Sequence, residues 1–241
     1  MDPNVPLLKS QSPMKLTDIA QMQNVPYQEA VGSLMYAAMG TWPDIAFAVS
    51  TVAQFSDNPG WTHWEAVKRI FRYLQGTQKF ELVYGGEKRG LVGYVNADGA
   101  LQEHRRAILG YVFLINGSAV SWSSKKQELV TLSTTEAEYV AATHAAKEAV
   151  WICRLIRQLF CPLESPMTLY SDSKSAIALV KDGNFHARTK HINIWYHFIC
   201  YIIKAECNSL AFQHLYTPLI FIPLSTLSVF HCFSVTSSYP I

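Results

Sequence analysis

Two apolar runs, Tyr111 to Ile115 and Ala119 to Ser123, flank the dipeptide Asn116-Gly117. Asn and Gly tolerate the positive φ values that a two-residue hairpin turn demands, so this spacing commits the middle of the chain to two antiparallel strands. A third short run, Leu91 to Val95, precedes them, and strand periods begin at about residue 88. Before that point the spacing is helical. Ile45, Val49, Val52 and Phe55 recur at one helical face behind Thr41-Trp-Pro-Asp44, whose proline suits a first turn. Thr62-x-x-Glu65 has the form of a capping box and predicts a second helix, with Trp64, Val67, Phe71 and Leu74 as its stripe and Gly76 as its stop. Residues 1 to 25 are polar and broken by proline, so they are expected to be an extended lead-in with little packing.

Beyond the hairpin, a Thr/Ser cluster opens a long helix from about Thr135 to Phe160, stopped by Pro162. Thr168 to Ser171 reads as a fourth strand, Ser173 to Lys181 and Thr189 to Ala205 as helices, and residues 209 to 215 as a candidate fifth strand. Three strands in a meander followed by helix, strand and helix predict an α/β protein whose mixed sheet has its antiparallel part first.

Composition excludes some functions and divides the chain. A formal net charge of +2 is too small to attract nucleic acid by itself, so any such contact must come from local patches. Lys68, Arg69 and Arg72 on the second helix read as a solvated face. Five cysteines with no C-x-x-C pair and an odd count suit reduced thiols of an intracellular protein, cytoplasmic or nuclear. The N-terminus lacks the basic flank and apolar run of a signal peptide. Residues 207 to 241 contain no Lys, Arg, Asp or Glu. Within them, Leu215 to Val235 is long enough for a membrane span, although Pro218, Pro223 and His231 weigh against one.

Three motifs stand at joints of the pattern: Gly-Tyr-Val-Asn96-Ala-Asp98 at a strand end, Ser-Thr-Thr-Glu136-Ala-Glu138-Tyr at the start of the long helix, and Leu-Tyr-Ser-Asp172-Ser at another strand end. Carboxylates so placed converge at one sheet edge, which is how oxygen ligands hold two Mg²⁺ ions about 4 Å apart for phosphodiester hydrolysis. Each acid also has a structural reading. Thr135-x-x-Glu138 is itself a capping box, and Asp172 precedes Ser-Lys-Ser-Ala as a helix cap would. Only the three together, in this order, favour catalysis over capping.

The segments VPYQEAVGSLMYAAMGTWPDIAFAVS, HWEAVKRIFRYLQGT, AVSWSSKKQ, LSTTEAEYVA, TLYSDSKSAIAL and FHARTKHINI resemble the C-terminal part of the Pol polyprotein of copia-type retrotransposons, nearly continuously from about residue 25 to 206. The resemblance implies that residues 1–87 are a helical remnant of the reverse transcriptase end and 88–206 a ribonuclease H-like domain, with 207–241 an aberrant uncharged tail. A reading frame interrupted near residue 207 accounts for such a tail. The family domain cuts the RNA strand of an RNA:DNA hybrid with Mg²⁺. Carried over by position, Glu138 and Asp172 become catalytic metal ligands. Asn96 stands where the family strand end, G-Y-S-D-A-D-W-A-G, has its first Asp.

Asp98 is the one acid left at that strand end, and the loop after it lacks the W-A-G-D run. It is a displaced substitute, about 6.6 Å along the strand. Mg²⁺ bonds of about 2.1 Å with near-octahedral geometry do not absorb such an offset. The fourth family carboxylate comes from an LADIFTK-like segment, and Asn208 to Ile241 holds no acid. The expectation is a weakened Mg²⁺ site and impaired or absent hydrolysis. No Asp-Asp pair occurs, so no polymerase activity is expected. Arg105 with Arg106, Lys125 with Lys126, and Arg188 with Lys190 are candidate phosphate contacts, or else solvated surface. His186, His191 and His197 do not match zinc spacing and are expected to pack. The implied partners are the hybrid and the rest of a Pol polyprotein. The alternatives are a non-catalytic nucleic-acid-binding remnant, or a protein anchored to a membrane through its tail.

Overall fold

A computed structural model describes residues 6–85, 90–98, 106–131, 133–159, 167–181 and 210–214. The chain divides into two compact units between Leu82 and Val83, five residues before the expected break.

The first unit is helical: α1 (Leu16–Gln23), α2 (Tyr27–Gly40), α3 (Ala46–Ala53) and α4 (Trp61–Gly76). Its core joins Tyr27, Val31 and Leu34 of α2 to Ile45, Val49 and Val52 around α3, and to Val67 and Ile70 of α4. The buried Tyr27 hydroxyl donates to the Val52 carbonyl at 2.8 Å, which satisfies a polar group that burial would otherwise penalise. Three expectations need correction here. The lead-in forms a short turn at Lys9–Gln11 and then α1, whose Met22 is buried. Helix α4 starts after Gly60 rather than at Thr62, and its first turn is closed by the Gly60 N–H donating to the His63 ring at 2.8 Å instead of by a Thr62–Glu65 box. Its buried stripe runs His63, Val67 and Ile70, while Phe71 is 40% exposed; Trp64 and Leu74 flank that stripe, partly buried.

The second unit is a five-stranded sheet in the order β3-β2-β1-β4-β5, from β1 (Leu91–Asp98), β2 (Ile108–Ile115), β3 (Ser118–Lys126), β4 (Met167–Ser171) and β5 (Leu210–His214). β1, β2 and β3 are antiparallel, and Asn116 (φ 51°) and Gly117 (φ 85°) make the turn between β2 and β3. β4 runs parallel to β1, and β5 parallel to β4. The 26-residue α5 (Thr134–Leu159) lies across one face. Ala141, Ala142, Ala145, Ala146 and Ala149 face Leu91, Val95, Leu109, Phe113 and Leu169, and these small residues let helix and sheet approach closely. Gly93 is required beneath them, since a Cβ there would lie 2.5 Å from the Phe113 ring and 2.7 Å from Leu169. The short α6 (Lys174–Lys181) follows β4.

β5 falls inside the uncharged residues 207–241, and its Phe212 is buried in this core. The first part of the expected tail is therefore a strand of the sheet. The expected helix over 189–205 and the span Leu215 to Val235 lie outside the described residues. Among the described residues, no helix is long and apolar enough to cross a membrane.

Candidate active site

The parallel ladder between β1 and β4 ends at the pair Val95↔Ser171. Asn96 is the next residue of β1 and Asp172 the first residue past β4, so both stand at the same end of the sheet. Val95 and Ala97 pack toward α5, and Asn96 and Asp98 alternate with them. Both competing cap readings fail. Ser133 accepts the Glu136 N–H at 3.2 Å at the start of α5, and Ser173 accepts the Ala176 N–H at 3.2 Å at the start of α6. With these hydroxyls at the caps, Glu138 and Asp172 are left for other work.

Glu138 reaches across to β1, where its Oε1 accepts the Ala97 N–H at 3.0 Å. Its Oε2 is buried and has no hydrogen-bond partner. Burial pushes the Glu138 carboxyl up to about 8; the Ala97 bond opposes this, and the nearby charges of Asp172 and Asp98 add to it. A buried carboxyl pressed by two others holds a proton unless a cation replaces it. Hard oxygen donors of this kind fit a divalent ion such as Mg²⁺. Among the described residues, no group of three His, Cys, Asp or Glu side chains is close enough to enclose an ion by itself. The acids thus share a field without forming a closed cage.

Sequence reasoning missed two supports of this edge. Gln127 follows β3, its N–H donates to the Ala107 carbonyl at 2.8 Å, and its Nε2 donates to the Ala137 carbonyl at 2.8 Å. It thereby ties the end of the hairpin to the residue before Glu138. His214 ends β5 in register with Ser171, with Nε2 3.1 Å from the Asp172 carbonyl. The signal for His214 was its place at the end of the candidate fifth strand; for Gln127 there was none.

The basic candidates separate. Asp98 pairs with Ile108 and Ile108 with Lys126, so Lys126 lies two strands from the acids, about 10 Å away, at the same sheet end. Lys125 stands beside it and forms an exposed ion pair with Glu128 at 3.5 Å. Arg106 is exposed just before β2. Arg105, Arg188 and Lys190, like His186, His191 and His197, lie outside the described residues.

No protein-family model matches the chain. It is similar to the retrovirus-related Pol polyprotein from transposon TNT 1-94 of Nicotiana tabacum, with 47% identity over 201 residues that cover 83% of this chain and 15% of that one. It is also similar to secreted RxLR effector protein 161 of Plasmopara viticola, with 51% identity over 134 residues that cover 54% of this chain and 94% of that one. Among solved structures, the foamy viral protease-reverse transcriptase in complex with an RNA/DNA hybrid is 14% identical with a TM-score of 0.49, covering 94% of this chain and 29% of that one. The chain spans only a small part of the transposon polyproteins it matches, 15% in the tobacco case.

Proposed function

We propose, for a chain that belongs to the copia-type retrotransposon Pol polyprotein family, that its sheet edge is a ribonuclease H site in which ion binding and hydrolysis are impaired. The observation that carries this reading is Glu138, released from capping and buried beside Asp172 and Asp98 with one oxygen unpartnered. Glu138 and Asp172 are the residues that would hold a divalent ion, with the neutral Asn96 carbonyl and the displaced Asp98 at its rim. When bound, such ions activate water and stabilise the leaving oxygen of a phosphodiester. The chain's own contribution is orientation. Ala97 fixes one Glu138 oxygen, Ser173 frees Asp172 from capping, and Gln127 anchors the start of α5. An Asn in place of an Asp removes a negative charge from a site that must balance two dications, and this underlies the loss of activity.

The substrate in this reading is an RNA:DNA hybrid, gripped by Arg106, Lys125 and Lys126 at the same sheet end as the acids. Cleavage of a labelled hybrid in Mg²⁺ tests the site. Little or no product is expected from the unmodified chain, with recovery in Asn96→Asp; robust cleavage by the unmodified chain overturns the claim of impairment. A second reading, non-catalytic binding of the hybrid, is favoured by that shared edge, and filter binding without cleavage is its signature. An intracellular setting, cytoplasmic or nuclear, and a place beside the rest of a Pol polyprotein belong to the same proposal.

A further inference from the structure

We infer that residues 6–13 form an acid-released clasp on the start of α4, latched by the neutral imidazole of His63. His63 is fully buried, and its ring stacks on Phe55 with centroids 4.0 Å apart. Both ring nitrogens are engaged. The Gly60 N–H donates to Nδ1 at 2.8 Å, so Nδ1 must be unprotonated, and Nε2 is left to carry the proton toward the Leu8 carbonyl at 3.2 Å. The lead-in is closed on itself around this point. The Leu8 N–H donates to Gln11 Oε1 at 3.1 Å, and Gln11 Nε2 donates to the Pro6 carbonyl at 3.1 Å. Asn58 Nδ2 adds a longer bond to the Pro13 carbonyl at 3.4 Å. Gly60 lets the strands of the clasp meet, since a Cβ there would collide with the Gln11 carbonyl.

Protonating Nδ1 sets one N–H against another, so the Gly60 bond is lost and an uncompensated charge sits in an apolar site. Charged groups on the surrounding elements are Lys9 in the lead-in turn, Glu29 on α2, Asp57 in the α3–α4 loop, and Glu65, Lys68, Arg69 and Arg72 on α4. None of them is a cause of the imidazole's shift: burial lowers its proton affinity first, and the Leu8 carbonyl raises it second. The ordinary histidine value is 6.5, so the unfolded or released form gains a proton below that pH while the latched form resists it. The latch is complete above pH 6.5 and weakens as the pH falls. This device stands apart from the sheet edge and does not rest on the nuclease reading.

Hydrogen exchange on the intact chain, corrected for intrinsic rates, tests it between about pH 7.5 and about pH 5. The amides of Leu8, Gln11 and Ser12 should lose up to about tenfold protection per pH unit below the crossing, while the α2–α4 core amides keep theirs. His63→Gln, whose amide can accept from Gly60 and donate to Leu8 without titrating, should lose that pH dependence. Ring nitrogen spectra of the unmodified chain report the same titration without a variant. Unchanged lead-in protection while His63 titrates, or equal loss throughout the α2–α4 core, overturns the clasp.

Discussion

Glu138 has one oxygen held by Ala97 and the other buried without a donor, and its carboxyl is pushed up to about 8 by burial, with Asp172 and Asp98 adding to the shift. The ordinary value is 4.5, so between these limits the folded chain keeps a proton that the unfolded chain has released. Without divalent ions, stability should therefore fall as pH rises from about 4.5 to about 8, by at most about 4 kcal/mol. Urea denaturation in chelator at about pH 5 and about pH 8.5 checks this; the fall should vanish in Glu138→Gln. Asn96 acts at the same scale. Restoring the charge in Asn96→Asp should create a Mg²⁺-dependent rise in the denaturation midpoint, larger than in the unmodified chain, because an ion that binds only the folded state stabilises it by mass action. Equal Mg²⁺ responses in the two proteins would show that position 96 does not face the ion.

Elements were legible where local signals agree. Asn116-Gly117 predicts a turn, and both residues adopt positive φ there. Caps were less legible, because the Ser/Thr clusters before α5 and α6 offer several neighbouring hydroxyls, and helix docking decides which one meets the free N–H groups. Ser173→Ala should cost about 1 kcal/mol by thermal or chemical unfolding, as loss of an N-cap does, whereas Asp172→Asn should cost less if Ser173 carries the cap. Gly93 carries a larger penalty. Its added methyl would press on Phe113 and Leu169, both fully buried, so Gly93→Ala should destabilise the second unit by about 1–3 kcal/mol. A neutral outcome would mean that the β1–α5 face can repack.

At the scale of the whole molecule, the mixed sheet is closed on its parallel side by β5, from within a stretch whose composition set it apart from the rest. A chain ending at residue 206 loses the strand that pairs with β4 and buries Phe212, so it should unfold at lower denaturant than one ending at residue 215. Equal midpoints for the two truncations would deny β5 a structural part. The sequence by itself determined the Asn116-Gly117 hairpin and the places of β1, α5, β4 and α6, because those are written in spacings of a few residues, while the family resemblance is carried by whole segments. Tertiary structure alone decided that Glu138 turns to Ala97, that His63 latches the lead-in, and that residues 210–214 pair with β4. Those outcomes depend on which distant N–H or carbonyl lies within about 3 Å. That is set by register and packing between segments dozens of residues apart.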